Sequence, residues 1–329
     1  MSTSVTAGMP DAGASVGRGT SPSAVRGTGS PDAGATTGRG GAGTAGARRR
    51  RAWKNPGSNA VALLVALVVA FPLYWMVLSA LRPQAAIDAG DASLFTTDLT
   101  LDSFVRVLTV NDFGRFFLNS LVVALAVVVL STICAFLASV ALTRYRFRSR
   151  TTLLVIVLIA QMVPIEALTI PLFFLFRNMG ASVPAIGLNQ LGSLVLVHLA
   201  FSIPFAIWML RGFVAAVPVE LEEAARIDGA KSFRFVRSIL FPLVFPGVVA
   251  VSVFSFISTW NDFLFAKTFI ISAQENQTLP LAILTFFKDD QNDWGAIMAG
   301  SVIMTVPVLV FFVLVQRHLV SGLAGAVKG

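Results

Sequence analysis

Residues 218–242, PVELEEAARIDGAKSFRFVRSILFP, form a polar island between two long apolar stretches, and their pattern is that of a docking element. Pro218 suits a first helical turn, where its missing N–H costs nothing, and Glu220, Glu222 and Glu223 lie where carboxylates favour the positive end of a helix dipole. A helix is therefore expected to begin near Pro218. Ala224 and Ala225 leave a flat surface that a partner's groove can approach closely, and Asp228-Gly229 offers the left-handed geometry that ends a helix. A second short helix is expected over residues 231–240, with Lys231, Arg234 and Arg237 on one face and Phe233 and Phe241 as anchors on the other. The plainer reading is an amphipathic loop that lies on a membrane surface.

Around the island the chain is suited to lipid. Apolar residues make up 55% of the 329 positions and charged residues 13%, with a mean hydropathy of +0.78, whereas roughly a quarter of a soluble domain is charged. The apolar residues concentrate in six spans, 61–81, 116–142, 151–176, 191–210, 243–260 and 295–316. Each is near the ~20 residues that cross a ~30 Å hydrocarbon core as a helix. Five contain internal proline: Pro72, Pro164 with Pro171, Pro204, Pro246 and Pro307. Such kinks are tolerated where neighbouring helices satisfy the freed carbonyls, so a packed bundle is expected. The expected fold class is all-α, a polytopic membrane protein with six transmembrane helices.

Charge sets the expected orientation. Residues 1–55 carry eight Lys and Arg, the loop at Arg144, Arg146, Arg148 and Arg150 carries four, and the region around the island carries five. The intervening loops carry three, one and two, and are dominated by acids such as Asp88, Asp91, Asp98, Asp102, Asp112, Glu275, Asp289, Asp290 and Asp293. The positive-inside rule then places both termini and the island in the cytoplasm. The net charge of +8 resides in Arg clusters flanking the spans, with no basic face interleaved with stacking aromatics, which argues against nucleic acid. The single Cys134 excludes an internal disulfide framework.

Residues 1–55, rich in Gly, Ala, Ser, Thr and Pro, cannot bury a core and are expected to be a disordered cytoplasmic tail, leaving 56–329 as the transmembrane domain. The glycine pattern at Gly38, Gly40 and Gly43 matches a dinucleotide fingerprint by composition alone, since no strand precedes it. The run Arg48-Arg49-Arg50-Arg51 precedes an apolar stretch too long for a signal peptide, so an uncleaved first span is expected.

The spacing from Glu223-Ala224-Ala225 through Gly229 to Ile239 and Pro242, E-A-A-x3-G-x9-I-x-x-P, resembles the coupling loop of ABC importer permeases. From about residue 59 to 329 the layout is similar to the di- and oligosaccharide branch of that family, in particular to the second permease of the maltose system. Asn119-Ser120-Leu121 opens the second span, Trp260-Asn261-Asp262-Phe263 follows the fifth, and Gly325-Ala326-Val327-Lys328-Gly329 closes the chain. The island pattern is specific to ABC importers as a class, and the other three in order point to sugar importers. One departure is Phe241, where Leu is common before the closing proline.

The resemblance implies a type I ABC importer permease, multi-pass in the bacterial plasma (inner) membrane. It implies pairing with a second permease subunit, two copies of a cytoplasmic ABC ATPase and an extracytoplasmic sugar-binding protein, with sugar as substrate. ATPase coupling would fall to Glu223, Ala224, Ala225, Asp228, Gly229 and Pro242, in a loop over about 215–242. The tail 323–329 would insert between the ATPases.

No G-x4-G-K-[ST] phosphate loop and no metal-ligand spacing occur, so ATP is expected to be bound and hydrolysed by the partners, with this chain a non-catalytic subunit lacking cofactors. Intramembrane polar residues default to functional hypotheses. Glu166, Asn261, Asp262 and Asn119 are the candidates for a substrate pathway, with Gln161 nearby. Alternatively, Glu166 satisfies carbonyls freed by Pro164 and Pro171, and Asp262 sits in outer water. His198 reads as a helix-helix hydrogen-bonding residue or a proton relay, and Trp260 as an interface-belt residue or a sugar-stacking platform. The rival function is a self-sufficient secondary transporter or channel with Glu166 as the coupling-ion site; no internal repeat supports it.

Overall fold

The computed structural model describes residues 56–109, 112–287 and 292–326. The expectations for the tail 1–55, for Asp289 and Asp290, and for residues 327–329 lie outside the described residues. The chain divides into units 1–62 and 63–329, the boundary falling inside the first helix. Among the described residues every regular element is helical.

The principal helices are α1 (Pro56–Ala80), α2 (Phe113–Arg144), α3 (Arg150–Met162), α4 (Thr169–Ser182), α5 (Leu191–Ala216), α6 (Glu220–Ile227), α7 (Phe241–Trp260), α8 (Leu264–Phe269) and α9 (Trp294–Ala326). Five segments are long and apolar enough to cross a membrane as single helices: Gly57–Ala80, Phe113–Arg144, Leu191–Ala216, Ser232–Trp260 and Trp294–Gln316. A further apolar pair, Arg150–Met162 and Ile165–Ser182, is bent by 89°, as in a broken span or a re-entrant loop. This corrects the expectation of one continuous span over 151–176. Pro164 disfavours the helical conformation at the residue before it, and Val163 is extended, at φ −75° and ψ 122°.

The fifth of the expected spans is also longer than the sequence suggested. Residues 232–235 start it, a π-turn at Val236–Leu240 follows, and α7 continues without a gap. The expected separate helix over 231–240 is thus the first part of the span. Pro242 lacks the N–H that would close on the preceding turn, and a widened turn at this place accommodates its ring. At the other end of the chain the helix persists to Ala326, so the backbone of 323–326 is helical and not a loose tail.

Helix α2 is the centre of the bundle, packed against α5 and α7, while α9 packs on α7. Close approach requires small residues: a Cβ on Gly247 would lie 2.5 Å from the Phe213 ring. Hydroxyl pairs join α2 to α7, Ser131 with Ser255 at 3.3 Å and Thr132 with Ser252 at 3.4 Å. Trp260 is 1% exposed and donates its indole N–H to the Met304 carbonyl at 3.0 Å. It therefore fastens α7 to α9, and both sequence expectations for it, interface belt and sugar platform, are corrected.

The loops segregate by charge. The arginine-rich loop after α2 lies beside the island, whereas the acidic loops meet at the opposite end. There Arg106 pairs with Asp293 at 3.0 Å, and the buried Arg82 donates to the carbonyls of Asp91 and Ser93. Asn189, left-handed at φ 62°, accepts the N–H groups of Ile271 (2.7 Å) and Ser272 (2.9 Å), and its own carbonyl accepts from the Asn276 amide at 2.7 Å. Asn189→Ala removes that acceptor at a cost of about 1 kcal/mol, since the loop backbone reaches water. Faster amide hydrogen exchange at residues 271–272 is expected, with Asn189→Asp close to the parent; unchanged exchange in the alanine variant would refute the tether.

Candidate functional site

The island folds as a capped helix followed by a sharp turn. The Val219 carbonyl accepts the N–H groups of Glu222 (2.9 Å) and Glu223 (3.1 Å), so α6 starts at Glu220 and Pro218 stands two residues before it. At the far end Gly229 has φ 76°. Its N–H reaches the Arg226 carbonyl at 3.0 Å, and the Ala230 N–H reaches the Ala225 carbonyl at 2.9 Å. These two bonds are the Schellman arrangement, which needs a left-handed residue at Gly229.

Ala224 and Ala225 part company in the structure. Ala224 is exposed, but Ala225 is 5% exposed and packs with Val217, Phe235 and Leu240 in the apolar cluster beneath the loop. The flat surface expected from both alanines is therefore Ala224 alone, and Ala225 seats the helix. Phe241 is an anchor as expected, its ring edge-on to Phe136 at 5.4 Å. Phe233 is not: it is 75% exposed, and Ile227 is 86% exposed. Two large apolar side chains on a polar loop stand exposed beside Glu223, Asp228, Lys231, Arg234, Arg237 and Pro242, which are exposed as well.

The seat of the loop depends on Arg144, which the sequence showed only as one charge of a topology signal. Its guanidinium donates to the carbonyls of Val214 (3.0 Å) and Val217 (2.7 Å) at the end of α5. Its Nε lies 4.0 Å from Glu222, which is itself bonded to Arg226 at 2.7 Å. One buried cation thereby joins the end of α2, the end of α5 and the first turn of α6. No local spacing reveals this, because 70 residues separate Arg144 from Val214.

The four pathway candidates do not converge. Asn119 fastens a loop, donating to the carbonyls of Glu275 (2.8 Å) and Gln277 (2.9 Å). Asn261 is exposed and donates to Ile257 of its own helix at 3.0 Å. Glu166 is exposed on the short turn after the break, and its carboxylate makes no hydrogen bond among the described residues, so it does not satisfy carbonyls freed by the prolines. Asp262 caps α8, accepting the N–H groups of Phe265 (3.3 Å) and Ala266 (3.1 Å). It is only 12% exposed and faces His198, which corrects the picture of a carboxylate in outer water. His198 bonds within its own helix, to Leu194 at 2.7 Å.

Five single apolar helices, a bent pair and a polar element between two of the spans define a polytopic membrane protein. A family model described as binding-protein-dependent transport system inner membrane component matches residues 128–325, and the chain belongs to this family. It is 39% identical, over 85% of its length and 98% of the relative's, to the diacetylchitobiose uptake system permease protein of Streptomyces coelicolor. It is 32% identical to the trehalose transport system permease protein of Mycobacterium tuberculosis over 86% of this chain and 100% of that protein. With the maltodextrin transport system permease protein of Bacillus subtilis the identity is 33%, over 81% and 93%. Among solved structures the fold matches a chain of a bacterial ABC transporter involved in the import of the acidic polysaccharide alginate, with a TM-score of 0.68 over 82% of this chain and 97% of that one at 23% identity.

Proposed function

We propose that this chain is one of two permease subunits of an ATP-driven sugar importer, with both termini and the island on the cytoplasmic side. Two copies of an ABC ATPase bind and hydrolyse ATP beneath it, and a sugar-binding protein delivers substrate from outside. The chain itself is non-catalytic and holds no cofactor. The observation that carries the reading is the island, a helix seated by Ala225 and Arg144 on which Glu223, Ala224 and Ile227 are exposed, with Phe233 exposed just beyond its turn. Glu223, Ala224, Asp228, Gly229 and Pro242 supply the coupling surface, and Ala225 holds it in place. The relatives that transport diacetylchitobiose, trehalose and maltodextrin support sugar as the substrate class. A secondary transporter using Glu166 would give the island no task.

Cells carrying the chain with its partner subunits and binding protein are expected to accumulate at least one of labelled diacetylchitobiose, trehalose and maltose. Accumulation of none of them, from a complex that assembles and hydrolyses ATP, would contradict the sugar reading. Glu166, Asn261, Asp262 and Asn119 are proposed to border the route. For Glu166, a carboxylate that lipid would penalise by at least ~2.5 kcal/mol, Glu166→Gln should retain several times the uptake of Glu166→Ala. Equal, parental uptake in both variants would remove Glu166 from the pathway.

A further inference from the structure

A cavity of about 230 Å³ between the crossings holds polar groups that coupling leaves without a task. The His198 Nδ1 lies 2.7 Å from the Leu194 carbonyl. A carbonyl only accepts, so Nδ1 carries the proton and Nε2 of the neutral ring is an acceptor. Nε2 faces the Asp262 Oδ2 at 3.8 Å, beyond hydrogen-bonding range, and the two side chains are 8% and 12% exposed. Asp262 uses its oxygens for one backbone N–H each and keeps further lone pairs. Two buried acceptors turned toward one another call for donors between them.

The rest of the lining narrows the chemistry of the donor. Ser202 and Ser258 add hydroxyls, Ser258 at the open side. Phe205 and Phe254, with ring centroids 3.9 Å apart, form an apolar wall whose negative ring faces suit C–H groups. Ile165, directly after the broken Val163-Pro164 backbone, closes another side. Irregular backbone at membrane depth is tolerated where it is buried in protein or lines a cavity. The volume is below the ~300 Å³ at which drug-sized ligand sites begin, which fits one sugar ring and not two.

We propose that this cavity is a subsite for a single pyranose ring of the transported sugar, in which a vicinal diol donates one proton to Asp262 and one to His198 Nε2. The proposal rests on the sugar-import reading and adds His198, Ser202 and Ser258 to the pathway. The hydroxyls of Ser202 and Ser258 meet the remaining sugar oxygens, and the ring's C–H face lies on Phe205 and Phe254.

The test uses the complete complex with its binding protein in proteoliposomes, Ser258→Cys in a Cys134→Ser background, and a hydrophilic methanethiosulfonate reagent. Diacetylchitobiose, trehalose and maltose are the probes. The sugar that is imported should slow labelling of the new thiol about fivefold or more, and the sugars that are not imported should leave it unchanged. In parallel, His198→Ala should lower uptake about tenfold, and His198→Gln, whose amide oxygen can accept in place of Nε2, should restore several-fold of it. Import that proceeds with unprotected labelling, or with the alanine variant at parental rate, overturns the subsite alone. Equal loss in both His198 variants, with uptake that becomes independent of a proton gradient only in those variants, overturns it in favour of a proton site. Import of none of the three sugars by the parent complex overturns the sugar reading and the subsite with it.

Discussion

Glu223→Ala is expected to cut ATP-driven uptake by about ten- to a hundredfold while leaving the helices folded. The Glu223 carboxylate is exposed and has no partner among the described residues, so its removal costs the bundle little. Its contribution comes in the assembly, where a charge-assisted contact with a basic residue of the ATPase is worth about 1.5–3 kcal/mol. Gly229→Val should act in the same direction by a different route. Gly229 sits at φ 76°, which a β-branched residue does not adopt without strain, and the two closing bonds of α6 depend on that geometry. Uptake and ATPase activity of the reconstituted complex, measured together, check both. Parental uptake in both variants would remove the coupling assignment.

Arg144→Leu should have a comparably large effect, on the seat of the loop. The substitution strands the Val217 carbonyl, leaves the Val214 carbonyl with only the Val217 N–H at 3.3 Å, and removes the cation facing Glu222. With Arg144 only 8% exposed, the cost is about 3 kcal/mol, set mainly by two charged hydrogen bonds and less by the 4.0 Å approach to Glu222. Arg144→Lys keeps the charge, but one ammonium nitrogen cannot both hold the two carbonyls, as Nη2 does, and stand at the Nε position facing Glu222, so partial loss is expected. Arg226→Ala, by contrast, removes a largely exposed pair and should change little. Limited proteolysis of residues 218–231 reports seating independently of transport. A leucine variant with parental protease resistance would show that Arg144 does not hold the loop.

The crossings were legible in the sequence because ~20 apolar residues in a row admit few readings, and the island was legible because its turn needs Gly229. The break at Val163-Pro164 was harder to see. Proline inside an apolar span signals a kink in α5, α7 and α9, and only the effect on the preceding residue distinguishes the 89° bend. Ala225 was misread because residues 224 and 225 look identical in sequence, and the helix phase alone decides which one faces the core. Arg144 and His198 act through groups far away in the chain, Val217 and Asp262, and no spacing rule connects them. Asn119 likewise acts across a long separation in the chain, its amide donating to the carbonyls of Glu275 and Gln277 on a distant loop.

The source of energy tests the central claim most directly. Proteoliposomes containing this chain with its partner permease and ATPase are loaded with ATP or subjected to a proton gradient, and labelled sugar is supplied with the binding protein. ATP-dependent uptake that survives collapse of the proton gradient and is lost in Glu223→Ala is the predicted result. Uptake driven by the proton gradient without ATP, and indifferent to Glu223, would contradict it.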